Sequence, residues 1–299
     1  TASATTGVTG ETMTVTRTTQ TNASESNYTS TASCSSVSGG RAKCDNYTLT
    51  GNTKTFTIGK RTVTVTAPTP VSSTLTYSGS AQNLLSAVGS CSTGGTMYWY
   101  SSNPSTSSTA PSFSTSTFTT TAPTTSSYKG TAAGTYYIYY YCKVDDTTNN
   151  TGSNINTVKS VTKEINKQSD TITITKQTAT YYGSAHTTSA TATSGLTPSV
   201  TYYTDSNCTT KTTTTNSGAA SEGGAPKDAK TYYVTATTAG NSNYSAGSKS
   251  CTAALTINKK SIAVTWGTTT SFTYNGSAQA PTASATTGVT GETMTVTRT

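Results

Sequence analysis

Six cysteines and one histidine are the residues of this chain with the most distinctive chemistry. The cysteines are Cys34, Cys44, Cys91, Cys142, Cys208 and Cys251. An even number of cysteines is typical of disulfide-bonded proteins from oxidising compartments, although the number alone leaves many pairings open. Zinc binding is the rival interpretation, but no two cysteines are separated by two residues, and a single histidine cannot complete several sites. The cysteines therefore predict disulfides.

His186 and the acidic residues are the groups that acid–base or metal chemistry would need. His186 occupies the position of Gln82 and Gln279 in a recurring marker sequence, which favours a polar turn position over catalysis. Asp145 and Asp146, followed by Thr-Thr-Asn-Asn, offer oxygen ligands for calcium, but they lack the spacing of a known calcium loop. A solvated turn is the favoured interpretation. The sequence predicts no enzyme, no cofactor and no metal site.

Aromatic residues provide two candidate contact sites. Trp99, within Met-Tyr-Trp-Tyr, could stack on a sugar, but a core position beside a disulfide is favoured. A tyrosine row alternates along one predicted strand, so both faces of that strand carry tyrosine. One face is expected in the core, and the other is the candidate assembly face. The row consists of Tyr136, Tyr137, Tyr139, Tyr140 and Tyr141.

Three lysines end recurring segments of the sequence and raise the question of a covalent crosslink. Lys60, Lys167 and Lys259 end these segments, and Asn166 and Asn258 directly precede the last two. Lysine and asparagine are the residue types that an isopeptide bond joins. No acid is placed consistently near all three lysines to promote the reaction. An isopeptide bond is therefore the less favoured hypothesis.

The composition indicates what kind of elements must position these residues. Serine and threonine make up about 40% of the chain, charged residues make up 10%, and there are 19 tyrosines. A disordered, mucin-like chain would share the high serine and threonine content. Threonine, tyrosine, valine and isoleucine nevertheless fit a pleated, half-buried surface, and apolar residues at helical spacing are scarce. The prediction is an all-β protein.

An exact repeat sets the scale of the molecule. Residues 282–299 are identical to residues 1–18, an offset of 281 residues. Long identical repeats are typical of stalks, fibres and surface arrays. The chain is therefore interpreted as part of a tandem array.

Shorter motifs divide this repeat into three predicted domains. A Tyr-x-Gly-Ser-Ala marker begins at Tyr77, Tyr181 and Tyr274, and a closing x-x-Ile-x-Lys segment ends at Lys60, Lys167 and Lys259. The predicted divisions are 1–60 (the C-terminal part of one domain), 61–167, 168–260 and 261–299 (the N-terminal part of the next copy). Residues 1–60 lack an opening strand and 261–299 lack a body. Residues 261–281 of a neighbouring copy are therefore expected to complete residues 1–60, within a continuous chain or between chains.

These motifs resemble the bacterial immunoglobulin-like repeats of the MBG and Big types. The resemblance is strongest from Asp228 to Tyr244 (Asp-Ala-Lys-Thr-Tyr-Tyr-Val-Thr-Ala-Thr-Thr-Ala-Gly-Asn-Ser-Asn-Tyr), which closes at Leu255-Thr-Ile-Asn258. Such repeats occur along large surface and fibre proteins. The resemblance implies tandem immunoglobulin-like β-sandwich domains, about three in each 281-residue repeat.

The domain divisions select one pairing of the cysteines. Each predicted domain holds two of them, so the expected disulfides are Cys34–Cys44, Cys91–Cys142 and Cys208–Cys251. Cys34–Cys44 would close a short loop, whereas Cys91–Cys142 and Cys208–Cys251 should each stabilise their domain by about 3–4 kcal/mol by restricting the unfolded chain. This matters because side chains of threonine, alanine and serine bury little apolar area.

Two functions follow as expectations. The first is a structural subunit of a secreted extracellular filament or stalk whose partners are copies of itself, end to end and laterally. The alternative is a multivalent cell-surface adhesin whose repeats bind a glycan, a cell-wall polymer or a host protein. The net charge of +8 is spread thinly, which disfavours nucleic acid, and no apolar run predicts a membrane span.

Overall fold

The computed structural model describes residues 2–39, 43–216 and 219–297, with the backbone alone for 214–216 and 219–222. Within these residues the chain consists of β-strands, two 3-10 turns and loops, which confirms the all-β prediction. It forms two compact units. The first contains the chain up to Leu75 together with Gly79–Ile165, and the second contains Thr76–Ser78 and the chain from Asn166 onward. Their division lies close to the predicted boundary at 167/168.

Residues 2–58 form a three-stranded antiparallel sheet. The strands are β1 (Thr12–Arg17), β2 (Ser24–Ser38) and β3 (Thr53–Ile58), and a 3-10 turn covers Cys44–Asn46. The spatial order is β1-β2-β3, so β3 is an edge strand. Alternating threonine and apolar residues in β1 and β3 suit a sheet with one polar face.

Residues 61–166 form a five-stranded sheet of spatial order β12-β11-β14-β16-β7 and four two-stranded pairs. The long strands are rich in tyrosine, isoleucine and valine, which favour extended backbone. The pairs are β4–β15, β5–β10, β6–β9 and β8–β13. The strands are β4 (Arg61–Thr62), β5 (Val65–Thr66), β6 (Thr69–Pro70), β7 (Leu75–Thr76), β8 (Gln82–Asn83), β9 (Leu85–Ala87), β10 (Ser90–Cys91), β11 (Thr96–Tyr100), β12 (Phe118–Thr119), β13 (Lys129–Gly130), β14 (Gly134–Lys143), β15 (Asn150–Thr151) and β16 (Val158–Asn166), with a 3-10 turn at Thr125–Ser127.

The core of this region lies between the five-stranded sheet and the short pairs. Its buried members come from both, which places apolar side chains of the sheet against those of the short strands. They are Val63, Leu85, Met97, Trp99, Tyr128, Ile138, Tyr140, Cys142 and Val144.

Residues 168–258 form a four-stranded sheet of order β18-β24-β23-β20, together with the pairs β17–β19 and β21–β22. Tyr202, Tyr232, Val234, Leu255 and Ile257 are buried in its core. The strands are β17 (Ile172–Ile174), β18 (Gln177–Thr180), β19 (Ala190–Ala192), β20 (Ser199–Tyr203), β21 (Thr213–Asn216), β22 (Ala219–Glu222), β23 (Thr231–Thr238) and β24 (Gly247–Asn258).

Residues 261–297 contain one short antiparallel pair, β25 (Thr265–Trp266) with β26 (Ala283–Ser284). The sequence of β1 recurs from Thr293, but residues 293–297 form no strand. In residues 2–58 the same sequence is β1 and pairs with β2, whereas no described strand pairs with residues 293–297. This sequence is therefore a strand where it is paired, because β-structure depends on cross-strand hydrogen bonds and packing.

Candidate assembly site

The six cysteines form three disulfides. Cys34 is bonded to Cys44, Cys91 to Cys142 and Cys208 to Cys251. These are the pairs expected from the predicted domains. Each bond ties a strand to a segment outside that strand's own sheet, for example β14 to β10. The disulfides indicate an oxidising compartment.

Trp99 lies in the core of residues 61–166. Its side chain is 6% exposed, and its indole N–H donates to the Val88 carbonyl at 2.8 Å. A buried tryptophan with its single donor satisfied is a packing residue. The ring offers no surface on which a sugar could stack.

The tyrosine row of β14 is covered on both faces, which corrects the expected assembly face. Tyr136, Tyr139 and Tyr140 are buried, and Tyr137 and Tyr141 are half-buried. The second face, which carries Tyr137, Tyr139 and Tyr141, is not free to receive a neighbour. The chain covers it with its own residues 101–118.

Residues 101–118 hold this face through specific contacts. The Asn103 side chain accepts from the Tyr139 backbone N–H at 2.9 Å and donates to the Tyr139 carbonyl at 2.8 Å. The Tyr139 hydroxyl donates to the Ser107 carbonyl at 2.9 Å, and Phe113 stacks on Tyr141 with ring centroids 3.8 Å apart. A loop without strand periodicity thus replaces the expected partner molecule.

His186 is buried rather than placed in an exposed turn. Its ring is 7% exposed and packs edge-on against Tyr182 at 4.4 Å, while its backbone N–H donates to the Pro226 carbonyl. The Nε2 atom is buried without a hydrogen-bond partner. Burial of the ring against Tyr182 supports a packing role.

Asp145 and Asp146 have separate structural roles. Asp145 forms an exposed ion pair with Lys143 at 2.7 Å. Asp146 accepts from the side chain and backbone N–H of Asn149, and these hydrogen bonds lower the pKa of its carboxyl. The described residues contain no group of three potential metal ligands from histidine, cysteine, aspartate or glutamate. The two aspartates therefore have structural roles, and the hydrogen bonds that Asp146 accepts from Asn149 hold the loop in place.

Two of the closing lysines make equivalent polar contacts. The ammonium group of Lys60 donates to the Thr147 carbonyl at 2.9 Å, and that of Lys167 donates to the Asn241 carbonyl at 2.7 Å. The following residue repeats the pattern, since Arg61 N–H donates to the Asn149 carbonyl and Gln168 N–H donates to the Asn243 carbonyl. Sequence reasoning missed these contacts. The recurring lysine position was the available signal, but the isopeptide hypothesis assigned it another role.

The sheet of residues 2–58 is open on one side. Its inward-facing Phe56 and Ile58 are half-buried. The equivalent residues of the segment that closes at Lys259, Leu255 and Ile257, are 0% and 2% exposed. Within the described part of 2–58, Ala23 is the one hydrophobic residue counted as buried. A groove of about 840 Å³ is lined by residues of β1, β2 and β3, including Phe56, and by Ala2, Ser3 and Ala4.

Exposed hydrophobic side chains concentrate in residues 261–297. Of seven such large side chains in the described residues, five lie there, and Tyr274 is 91% exposed. Clustered exposed apolar groups mark an interaction surface or an incomplete core. The five are Val264, Trp266, Phe272, Tyr274 and Met294.

Comparison with known proteins gives no match. No protein-family model, no curated protein and no solved structure is significantly similar to the chain. No described helix is long and apolar enough to cross a bilayer.

Proposed function

We propose that this chain is part of a structural filament or stalk made of tandem copies of the 281-residue repeat. In this proposal each repeat contributes immunoglobulin-like β-sandwich domains locked by disulfides, and the filament is secreted to the cell surface. The role is mechanical rather than catalytic. Its partners are copies of the same repeat.

The recurrence of the boundary contacts is the observation that carries the proposal. At 60/61 and at 167/168 a lysine side chain and the next backbone N–H bind carbonyls two residues apart in a loop. Neither boundary contains a flexible linker, since the closing and opening residues are both held. A chain with such boundaries is suited to regular spacing, whereas a glycine- and serine-rich linker would give variable spacing.

The core supports the immunoglobulin-like part of the proposal. Trp99 and the Cys91–Cys142 disulfide belong to one cluster between the five-stranded sheet and the short strand pairs. A buried tryptophan beside a disulfide is typical of immunoglobulin-like sandwiches. The exact repeat of 18 residues supports the tandem arrangement.

Electron microscopy of the native assembly, combined with a junction variant, tests the proposal. Replacing Lys60 and Lys167 by alanine removes two boundary contacts, so we expect filaments that bend more, seen as a shorter persistence length. The matched control is Lys129→Ala, because Lys129 is exposed and lies in β13, which pairs with β8. Absence of filaments, together with saturable binding of a glycan to the chain, would instead favour the adhesin.

A further inference from the structure

The outer edge of β3 lacks the neighbour that the two equivalent strands have. Strands β16 and β24 also end just before a closing lysine, and each lies inside its sheet, beside β7 and β18 respectively. Among the described strands, only β2 lies beside β3. Exposed strand edges present backbone N–H and C=O groups that can pair with a further strand.

In the sheets that contain β16 and β24, the strand beside the closing strand comes from the same part of the sequence motif. It is the segment that ends at the tyrosine of the Tyr-x-Gly-Ser-Ala marker. The Tyr77 N–H donates to the Asn166 carbonyl at 2.8 Å, and the Tyr181 N–H donates to the Asn258 carbonyl at 2.9 Å. The third marker begins at Tyr274, whose side chain is 91% exposed.

A second contact of the same segment is already visible in this chain. Trp266 and Thr265 pair with Ala283 and Ser284. Ala283 and Ser284 repeat Ala2 and Ser3, because residues 282–299 duplicate residues 1–18. Ala2 and Ser3 line the groove on the open sheet. The pair β25–β26 therefore shows how this segment contacts the sequence that lines the groove.

We propose that β3 and the adjoining groove are a docking site for residues 261–281 of another copy of the repeat. This inference rests on the proposed function, since it requires copies of the repeat to meet. The docked segment adds a parallel strand to the sheet of residues 2–58 and completes its core. Trp266 and Thr265 lie along Ala2 and Ser3, as they lie along Ala283 and Ser284 here.

The parallel pairing of β18 with β24 sets the register. There Gln177 lies opposite Leu255 and Ala179 opposite Ile257. When positions are counted back from the marker tyrosine and from the closing lysine, Thr270 of the docked segment lies opposite Phe56, and Phe272 lies opposite Ile58. The Tyr274 N–H then donates to the Gly59 carbonyl.

This register explains why the groove is large and the segment is aromatic. Residues opposite each other in a parallel ladder share a face. Ile257 is 2% exposed in its core, so Phe272 takes an inward position, beside Ile58. Phe272 is 43% exposed in the undocked segment. A phenyl ring fills more of the open space than the alanine found at the equivalent position 179.

Backbone direction supplies a sharp test. The Ile257 N–H donates to the Lys230 carbonyl and so points towards β23. The N–H groups of Thr256 and Asn258, the residues on either side, therefore face β18. The equivalent groups of β3, Thr57 N–H and Gly59 N–H, therefore face the docking edge. A synthetic peptide of residues 261–281 added to the isotopically labelled chain should slow hydrogen exchange of these two amides by at least about tenfold.

Two methylated peptides serve as a matched pair. The Phe272 N–H faces β3 and the Thr273 N–H faces away, because successive residues alternate along a strand. N-methylation at Phe272 should weaken binding by about tenfold or more, and N-methylation at Thr273 by less than about twofold. No protection at Thr57 and Gly59, or equal effects of the two methyl groups, would overturn the proposal.

Sedimentation of the chain alone identifies the donor. If the sedimenting mass grows with concentration, and if Phe272→Pro abolishes this growth whereas Thr273→Pro preserves it, the donor segment belongs to a separate chain. A monomer that still binds the peptide places it in a continuous array; both results support the docking site. If Phe272→Pro forms filaments of unchanged order, docking is refuted and the proposed filament is retained. If the peptide binds but no filaments form, docking is retained and the proposed filament is refuted.

Discussion

Asp170 is a buried residue whose carboxylate is held by several hydrogen bonds. Its carboxylate accepts from the hydroxyl groups of Thr193, Ser194 and Thr238 and from the Ser194 backbone N–H, at 2.6–3.1 Å. Burial opposes ionisation, but these hydrogen bonds outweigh it and lower the pKa of Asp170 from 3.8 to about 2. The network connects the start of β17 to the segment after β19 and to β23.

Stability of residues 168–258 should therefore fall in acid. A carboxyl whose pKa is lower in the folded state stabilises the fold above its ordinary pKa of 3.8, and this contribution is lost as the pH falls to about 2. Asp170→Asn should lower the thermal unfolding midpoint at pH 7, and the difference from the original chain should shrink towards pH 2. Thermal melts across this pH range measure it. The control is Asp145→Asn, whose side chain is 77% exposed and should change little.

Trp99 distinguishes packing from sugar binding at a single position. Trp99→Ala should reduce the free energy of unfolding of residues 61–166 by about 3–5 kcal/mol, because it opens a cavity in the core. Trp99→Phe keeps a six-membered aromatic ring in the core but loses the rest of the indole and its hydrogen bond to Val88, so its cost should be smaller than that of alanine. Denaturant titration measures both. An unchanged unfolding midpoint for Trp99→Ala would contradict the core assignment.

At the scale of elements, residues 103–105 bond to the backbone of β14 beyond the point where its pairing with β11 ends. Asn103 completes both backbone groups of Tyr139 with one side chain. Asn103→Ala should cost about 1–3 kcal/mol, because it leaves a backbone N–H and C=O without partners. Faster hydrogen exchange at the Tyr139 amide would report the loss, with Ser102→Ala as the neighbouring exposed control. Equal exchange in both variants would mean that water satisfies these groups.

The disulfides should differ in what they contribute to their elements. The sequence separations are 10 residues for Cys34–Cys44 and 51 for Cys91–Cys142. Closing the longer loop removes more unfolded-state entropy, so paired alanine substitution should cost about 4 kcal/mol at Cys91–Cys142 and about 3 kcal/mol at Cys34–Cys44. Denaturant unfolding of each double variant measures this order. A reversed order would show that native-state contacts, rather than loop length, set the effect.

Elements with regular patterns could be predicted from the sequence, and irregular contacts could not. The alternating tyrosine and isoleucine side chains of β14 predicted a strand, and the two-cysteine domains selected the three disulfides present. The cover over Tyr139 and Tyr141 was missed because Asn103, Ser107 and Phe113 lie in a segment without periodicity, whose contacts depend on long-range geometry. The burial of His186 was missed for the same reason.

At the scale of the whole molecule, the open sheet of residues 2–58 and the segment proposed to complete it lie far apart in the sequence. Residues 2–58 have a half-buried closing strand, and residues 261–297 hold five of the seven exposed large hydrophobic side chains in the described chain. The sequence predicted this incompleteness from its markers. The parallel register and the facing amides of Thr57 and Gly59 required the geometry of β18 and β24.

The axial repeat of the native assembly, measured by electron microscopy, tests the central claim most directly. A strand of eight to ten residues spans about 30 Å. Three domains in line should therefore give a filament with an axial repeat of about 100–120 Å. Thin isolated stalks without such a repeat, or a rise much shorter than one domain, would contradict an end-to-end filament of this repeat.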